Sequence, residues 1–236
     1  MAELISRNDA RVYWRALVEN AVGLIRDAAT LLDTSAGRSR SLLVLAQEQL
    51  GQSAVLYDLA SAAWSSQSGD VVLSDRFVSL ERMHPSKLVA AIEQDDELDS
   101  FWGDYSREDA EADLDVDDYL HYLTERDARR KNEAAGFNAV KQAGFYVDRT
   151  PAGVRAPQDQ ERGTLPEEIR RAAGVAEMLL VRDHTRQQAG ADGYESAQDL
   201  HAEVLPYAHP EEFLELMQRV NGDAEPPQGD GIQSAS

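Results

Sequence analysis

The residues of this chain best suited to chemistry stand in two short stretches. In "RFVSLERMHPSKL", His84 and Lys87 flank Pro85. Histidine titrates near neutrality unaided, and lysine supplies a compact cation, so the two together could bind a phosphate or act on one. A histidine before proline also serves as an ordinary helix cap. In "LLVLAQEQLGQSAVLYDLA", residues 42–60, Glu48, Gln49 and Gln52 interrupt an apolar helical pattern, with Gly51 among them. On an α-helix, Leu45, Glu48, Gln52, Val55 and Leu59 fall along one stripe. A carboxylate in such a stripe must find partners, because burying it unpaired costs several kcal/mol. Gly51 costs a helix interior about 1 kcal/mol relative to alanine and predicts the close approach of another backbone. Two accounts fit these residues: a polar site within a bundle, or a satisfied hydrogen-bond network that pins helices together.

A third stretch, "RRKNEAAGFNAVKQAGFYVD", holds Arg129, Arg130, Lys131 and Lys141 and leads into Tyr146 and Asp148. It is the densest basic patch of the chain, open to reading as an anion-binding face or as a solvated helix surface. Asp117, His121 and Glu125 share a helix face but lack a further ligand for a metal, and a surface ion-pair face accounts for them. No glycine-rich phosphate loop, HExxH or GxSxG is present. Neither a cofactor nor a metal is expected.

The elements that must position these groups are helical almost throughout. Trp14, Leu17, Val18, Ala21, Leu24, Ile25, Ala28, Leu31 and Leu32 recur at three- and four-residue steps, predicting one amphipathic helix over about 8–32. A second runs over about 38–65 and a third over 74–98, interrupted at Pro85, which disfavours helical dihedrals at His84. Residues 93–118 carry thirteen acidic residues against the single Arg107 and read as a solvated, mobile connection tethered by Phe101, Trp102 and Tyr105. A fourth helix spans about 115–142, with Glu125/Arg129 and Asp127/Lys131 as exposed pairs. "GFYVDRTPAGVRAP" reads as an ordered extended segment, and helix resumes at Pro166 to about 189, then over 194–204 and 210–220. No run supports a sheet core. The fold class is therefore all-α, an antiparallel four-helix bundle with additional C-terminal helices and a disordered tail. The boundaries read as a bundle over 1–160 including the GFYVD segment, a C-terminal helical extension over 161–221 packed on it, and a disordered tail over 222–236.

Composition narrows the classes of function. With 236 residues the chain can bury a core without covalent staples, and the absence of cysteine excludes disulfides, zinc–thiolate sites and thiol nucleophiles. No stretch approaches the ~20 uninterrupted apolar residues of a membrane span, and the N-terminus lacks a basic start followed by an apolar run. The expectation is a cytoplasmic protein without a membrane partner. The 43 acidic against 23 basic residues give a net charge of -20, which repels phosphate backbones, so contact with nucleic acid would need a local basic patch.

In order and spacing, "ALVENAVGLIRDAATLL", "SLLVLAQEQLGQ", "MHPSKL" and "KQAGFYVD" resemble the AbiV family of abortive-infection proteins, whose core is a helical bundle of the HEPN superfamily. The resemblance covers residues 12–160. In that family the second helix reads A-x-E-E-L-G-K, a later helix carries H-x-x-K, and a segment led by lysine or arginine ends in G-L-Y-V-D. Glu48 matches the first acid, Gly51 the glycine, His84 and Lys87 the H-x-x-K pair, and Tyr146 and Asp148 the Y-V-D run. Gln49 and Gln52 depart from it, replacing the second glutamate and the lysine and so removing a cation.

The resemblance implies an antiphage-defence protein, a homodimer that binds a phage or host protein or an RNA-containing complex and arrests the infected cell at translation. The alternative is a divergent metal-independent ribonuclease. There His84 is the general acid/base, Lys87 with Arg82 or Arg130 stabilises the phosphorane, and Glu48 orients the imidazole. Gln52, Arg82, Arg130, Lys131, Lys141, Tyr146 and Asp148 are the expected binding residues. HEPN ribonucleases carry R-x(4–6)-H, and the positions that would hold the arginine for His84 are Phe77, Val78 and Ser79. Arg76 lies one residue too far, and His121, His184, His201 and His209 also fail the spacing.

Overall fold

Helix α1 (Arg7–Leu31) begins where the Ser6 hydroxyl accepts a hydrogen bond from the Asp9 amide, and its apolar repeat buries Trp14, Leu17, Val18, Ala21, Ile25 and Ala28. Helix α2 (Ala36–Ser66) returns antiparallel to it. The Ser39 hydroxyl donates to the Ala28 carbonyl near one end, and the Trp64 indole donates to the Arg7 carbonyl at the other. The computed structural model describes residues 3–151, 153–189 and 197–215.

Strand β1 (Glu3–Ile5) pairs antiparallel with β2 (Val71–Leu73), a short ribbon that the sequence pattern did not announce and whose Val71 and Leu73 join the main core. Helix α3 (Asp75–Arg82) and α4 (His84–Phe101) are separated at Met83, whose extended backbone ends one helix, while Pro85 occupies the first turn of the next. The expected interruption is thus a restart, placing His84 at the opening of α4. Helices α5 (Ser106–Ala112) and α6 (Val116–Phe145) follow, then the hairpin β3 (Asp148–Thr150) and β4 (Gly153–Arg155), a 3-10 turn over Pro157–Asp159, α7 (Leu165–Ala189), α8 (Gln198–Ala208) and helical residues 210–215. The architecture is all-α, and the expected extended segment is realised only from Tyr146 on, since Gly144 and Phe145 still belong to α6 and the hairpin begins at Asp148. The predicted tail 222–236, and the ends of the helices predicted over 194–204 and 210–220, lie outside the described residues.

The acidic connection is corrected. Residues 93–101 continue α4 and 106–112 form α5, with α4 carboxylates met by arginines, while 102–118 stay largely exposed, as expected of a solvated segment. Asp95 pairs with Arg171 at 2.8 Å, Asp96 with Arg130 at 2.7 Å and Glu97 with Arg182 at 2.8 Å. Phe101 packs on the core beneath the Arg182 guanidinium, and Trp102, though half exposed, sets its ring edge-on against Phe101 and His209, whereas Tyr105 is largely exposed.

A large core joins α1, α2, α7 and α8 through Trp14, Ile25, Leu50, Leu56, Met178 and Val204, and a smaller one joins α2, α4 and α6 through Val44, Leu88, Ile92 and Ala134. Buried Glu177 of α7 holds α8 and the turn after it, accepting from His209 at 2.7 Å and lying 3.3 Å from His201. Two glycine contacts set the spacing around the smaller core. A Cβ at Gly51 would collide with the Lys87 carbonyl and stand 2.7 Å from the Ala91 amide, so α2 and α4 touch backbone to backbone, as Gly51 predicted. Gly144 of α6 packs likewise against the Gly37 carbonyl and the Ser41 hydroxyl.

Gly51→Ala forces these backbones apart. Overpacking of this kind costs about 1–3 kcal/mol, which for a chain of this size lowers Tm by roughly 2–4 °C per kcal/mol. An unchanged Tm by circular dichroism would show that the helices do not cross here.

Candidate functional site

The Glu48 carboxylate is only 2 % exposed and accepts at both oxygens. The Lys141 ammonium donates to Oε1 at 2.5 Å, and His84 Nδ1 lies 2.6 Å from Oε2. Because a carboxylate only accepts, the imidazole carries its proton on Nδ1 toward Glu48. Its Nε2 is left as the group able to exchange a proton or a hydrogen bond with a ligand, and the side chain is 59 % exposed. The site is therefore a buried acid with one buried and one open partner. Glu48 comes from mid-α2, His84 from the restart of α4, and Lys141 from the last turns of α6.

Lys87, expected beside His84, does not join this triad. Its backbone lies at the Gly51 crossing, its stem is buried, and among the described residues its ammonium makes no hydrogen bond or ion pair and reaches solvent. Gln52 is buried one turn from Glu48 and donates to the Tyr13 hydroxyl at 2.5 Å, and Tyr13 in turn donates to Glu81 at 2.8 Å. Burial first, and then Glu81, push the Tyr13 phenol far above its ordinary range, so it remains a donor. Gln52 thus belongs to a structural chain between α1, α2 and α3.

The basic patch of α6 is divided. Arg130 is buried and bound to Asp96 and Glu93, so it is not available to a ligand in this arrangement, whereas Arg129 stays largely exposed and only faces Asp96 at 3.8 Å. Lys131 is exposed and lines a cleft with Arg76. Arg82 is exposed and forms no ion pair among the described residues. Tyr146 and Asp148 are exposed at the start of the hairpin. His121 pairs with Glu125, and among the described residues no group of three side chains could hold a metal. No described helix is long and apolar enough to cross a membrane.

Three of the four segments behind the family resemblance meet at this point: "AQEQLG" supplies Glu48, "MHPSKL" supplies His84 and "KQAGFYVD" supplies Lys141. A profile of the AbiV family, a HEPN domain, matches residues 9–177. The chain belongs to the AbiV family. Membership points to abortive infection, a defence against phage, and the all-α architecture agrees with a HEPN-like bundle. No curated protein and no solved structure gives a significant match. The AbiV match extends beyond the hairpin into α7. In this AbiV chain the cation that meets Glu48 is Lys141, ninety-three positions away in sequence, while Gln52, at the family's lysine position, turns to Tyr13. Sequence spacing could not reveal that pairing, nor Tyr13–Glu81, nor the place of Arg76 beside α4, since each depends on how helices cross.

Removing one member of a buried ion pair costs about 3–5 kcal/mol, whereas a buried lysine stem without an ionic partner is replaced by methionine at a cost of less than about 1.5 kcal/mol. Lys141→Met is therefore expected to destabilise strongly in urea unfolding and Lys87→Met weakly. Equal losses would assign Glu48 the wrong cation.

Proposed function

We propose that this chain acts in abortive infection by binding a phage or host protein, or an RNA-containing complex, and so arrests the infected cell at translation, working as a cytoplasmic homodimer. The observation that carries this reading is the exposed hairpin. Tyr146, Val147 and Val154 are large apolar side chains held in solvent, with Arg149 and Arg155 beside them and Asp148 at their base. Exposed apolar residues rimmed by charge are the usual make-up of a contact surface. The hairpin continues from α6, whose last turns are fixed by Lys141 and by Ser41 donating to the Lys141 carbonyl at 2.8 Å. In this reading the triad is a positioning device: Glu48 sets α6 and hence the angle at which the hairpin meets its partner.

A second reading is favoured by one observation, the carboxylate-backed imidazole with its free nitrogen outward. A divergent ribonuclease would use His84 as general acid/base, oriented by Glu48, with Lys87 or Arg82 facing the phosphorane. The cations bound to carboxylates, Lys141 and Arg130, are poorly placed for that task, which weighs toward binding.

Phage challenge separates the two. Tyr146→Ala combined with Val154→Asp should abolish protection, read as plaquing efficiency, at unchanged Tm, while total RNA stays intact during infection. Full protection by this variant contradicts the binding reading. RNA cleavage that disappears in His84→Ala and Lys87→Ala establishes the enzymatic one.

A further inference from the structure

In this acidic chain most cations near α4 are neutralised. Arg130 and Arg129 face Asp96, Arg171 faces Asp95 and Asp99, and Arg182 faces Glu97. Those carboxylates lie on the second half of α4. The first half presents a different surface. A cleft of about 320 Å³ opens between α3, α4 and α6, lined by Arg76, Ser79, Leu80, Pro85, Ser86, Val89 and Lys131. Among the described residues no acidic side chain lines it. Neither Arg76 nor Lys131 has an ion-pair partner among the described residues, and the Ser79 and Ser86 hydroxyls make no hydrogen bond there.

Two cations held on separate helices around one hollow repel each other, and their mutual field is relieved by an anion between them. The donors are of mixed type: a planar guanidinium fork, a point ammonium and two hydroxyls. That set matches the several acceptor oxygens of a tetrahedral phosphate better than the two of a carboxylate. Leu80, Pro85 and Val89 supply an apolar wall, which an inorganic ion would leave uncovered. The volume falls in the range of about 300–1,000 Å³ typical of small-molecule sites. We infer that this cleft binds a small phosphate monoester, its phosphoryl group between Arg76 and Lys131 and its apolar body against Leu80, Pro85 and Val89. None of its lining residues belongs to the Glu48 triad, although Pro85 directly follows His84, and the inference does not depend on the defence reading.

Isothermal titration of the full chain with phenyl phosphate, at low salt, tests this. Phenyl phosphate should bind at one site, inorganic phosphate more weakly and phenol not at all. Arg76→Gln and Lys131→Gln should each weaken phenyl phosphate at least about tenfold, the loss of one charge-assisted contact. Val89→Asp should remove binding, and Arg155→Gln, a cation on the hairpin, should leave it unchanged. Circular dichroism confirms that each variant is folded. Absence of binding to the folded wild type overturns the inference, as does binding unaltered in Arg76→Gln and Lys131→Gln. Inorganic phosphate as tight as the ester removes the apolar wall from the site. A short RNA that displaces phenyl phosphate, and itself weakens in the same variants, reassigns the cleft to phosphodiesters and also overturns it.

Discussion

A carboxylate excluded from water must be met by charge or hydrogen bonds, and at Glu48 that requirement organises half of the bundle. Both oxygens are engaged, one by Lys141 and one by His84, so three helices meet at a single buried group. Neither partner is local in sequence. The cost of leaving Glu48 unmatched therefore falls on any packing in which α4 or α6 is displaced along α2, so the triad favours one register.

The triad forms only because the backbones come close. Gly51 admits the first turns of α4 to the surface of α2, and Gly144 admits the end of α6 beside Gly37 and Ser41. With side chains at these positions the helices would stand farther apart, and neither the imidazole nor the ammonium would reach Glu48. The same closeness makes the triad asymmetric. Lys141 is drawn beneath the helices and is 11 % exposed, while His84, at the first residue of α4, stays open. An acid buried on one side and an imidazole exposed on the other give this face a fixed, polar, solvent-accessible nitrogen.

Much of this was legible from residues 42–60 alone. An acid and an amide in an apolar stripe, beside a helical glycine, imply burial, partners and a close neighbour, and all three are present. The helices themselves followed from their apolar period and from Pro85. What failed to show were pairings between distant segments. Lys87 lay nearest His84 in sequence, yet the ammonium that reaches Glu48 belongs to Lys141, because the turn of α4 that carries Lys87 offers its carbonyl, not its side chain, to α2. The acidic run 93–118 read as a solvated strap because composition counts charges without locating the arginines that face them. Arg130, Arg171 and Arg182 come from α6 and α7, and they meet the carboxylates of its first part, which continues α4.

Glu48 and Lys141 interact directly inside the bundle, and a double-mutant cycle between Glu48→Gln and Lys141→Met measures that interaction. Contacting charges in a shared network couple by about 0.5–3 kcal/mol, and sites without contact add within about 0.5 kcal/mol. The structure predicts a coupling in the upper part of that range, with the double variant more stable than the sum of the single losses implies. Strict additivity would contradict it.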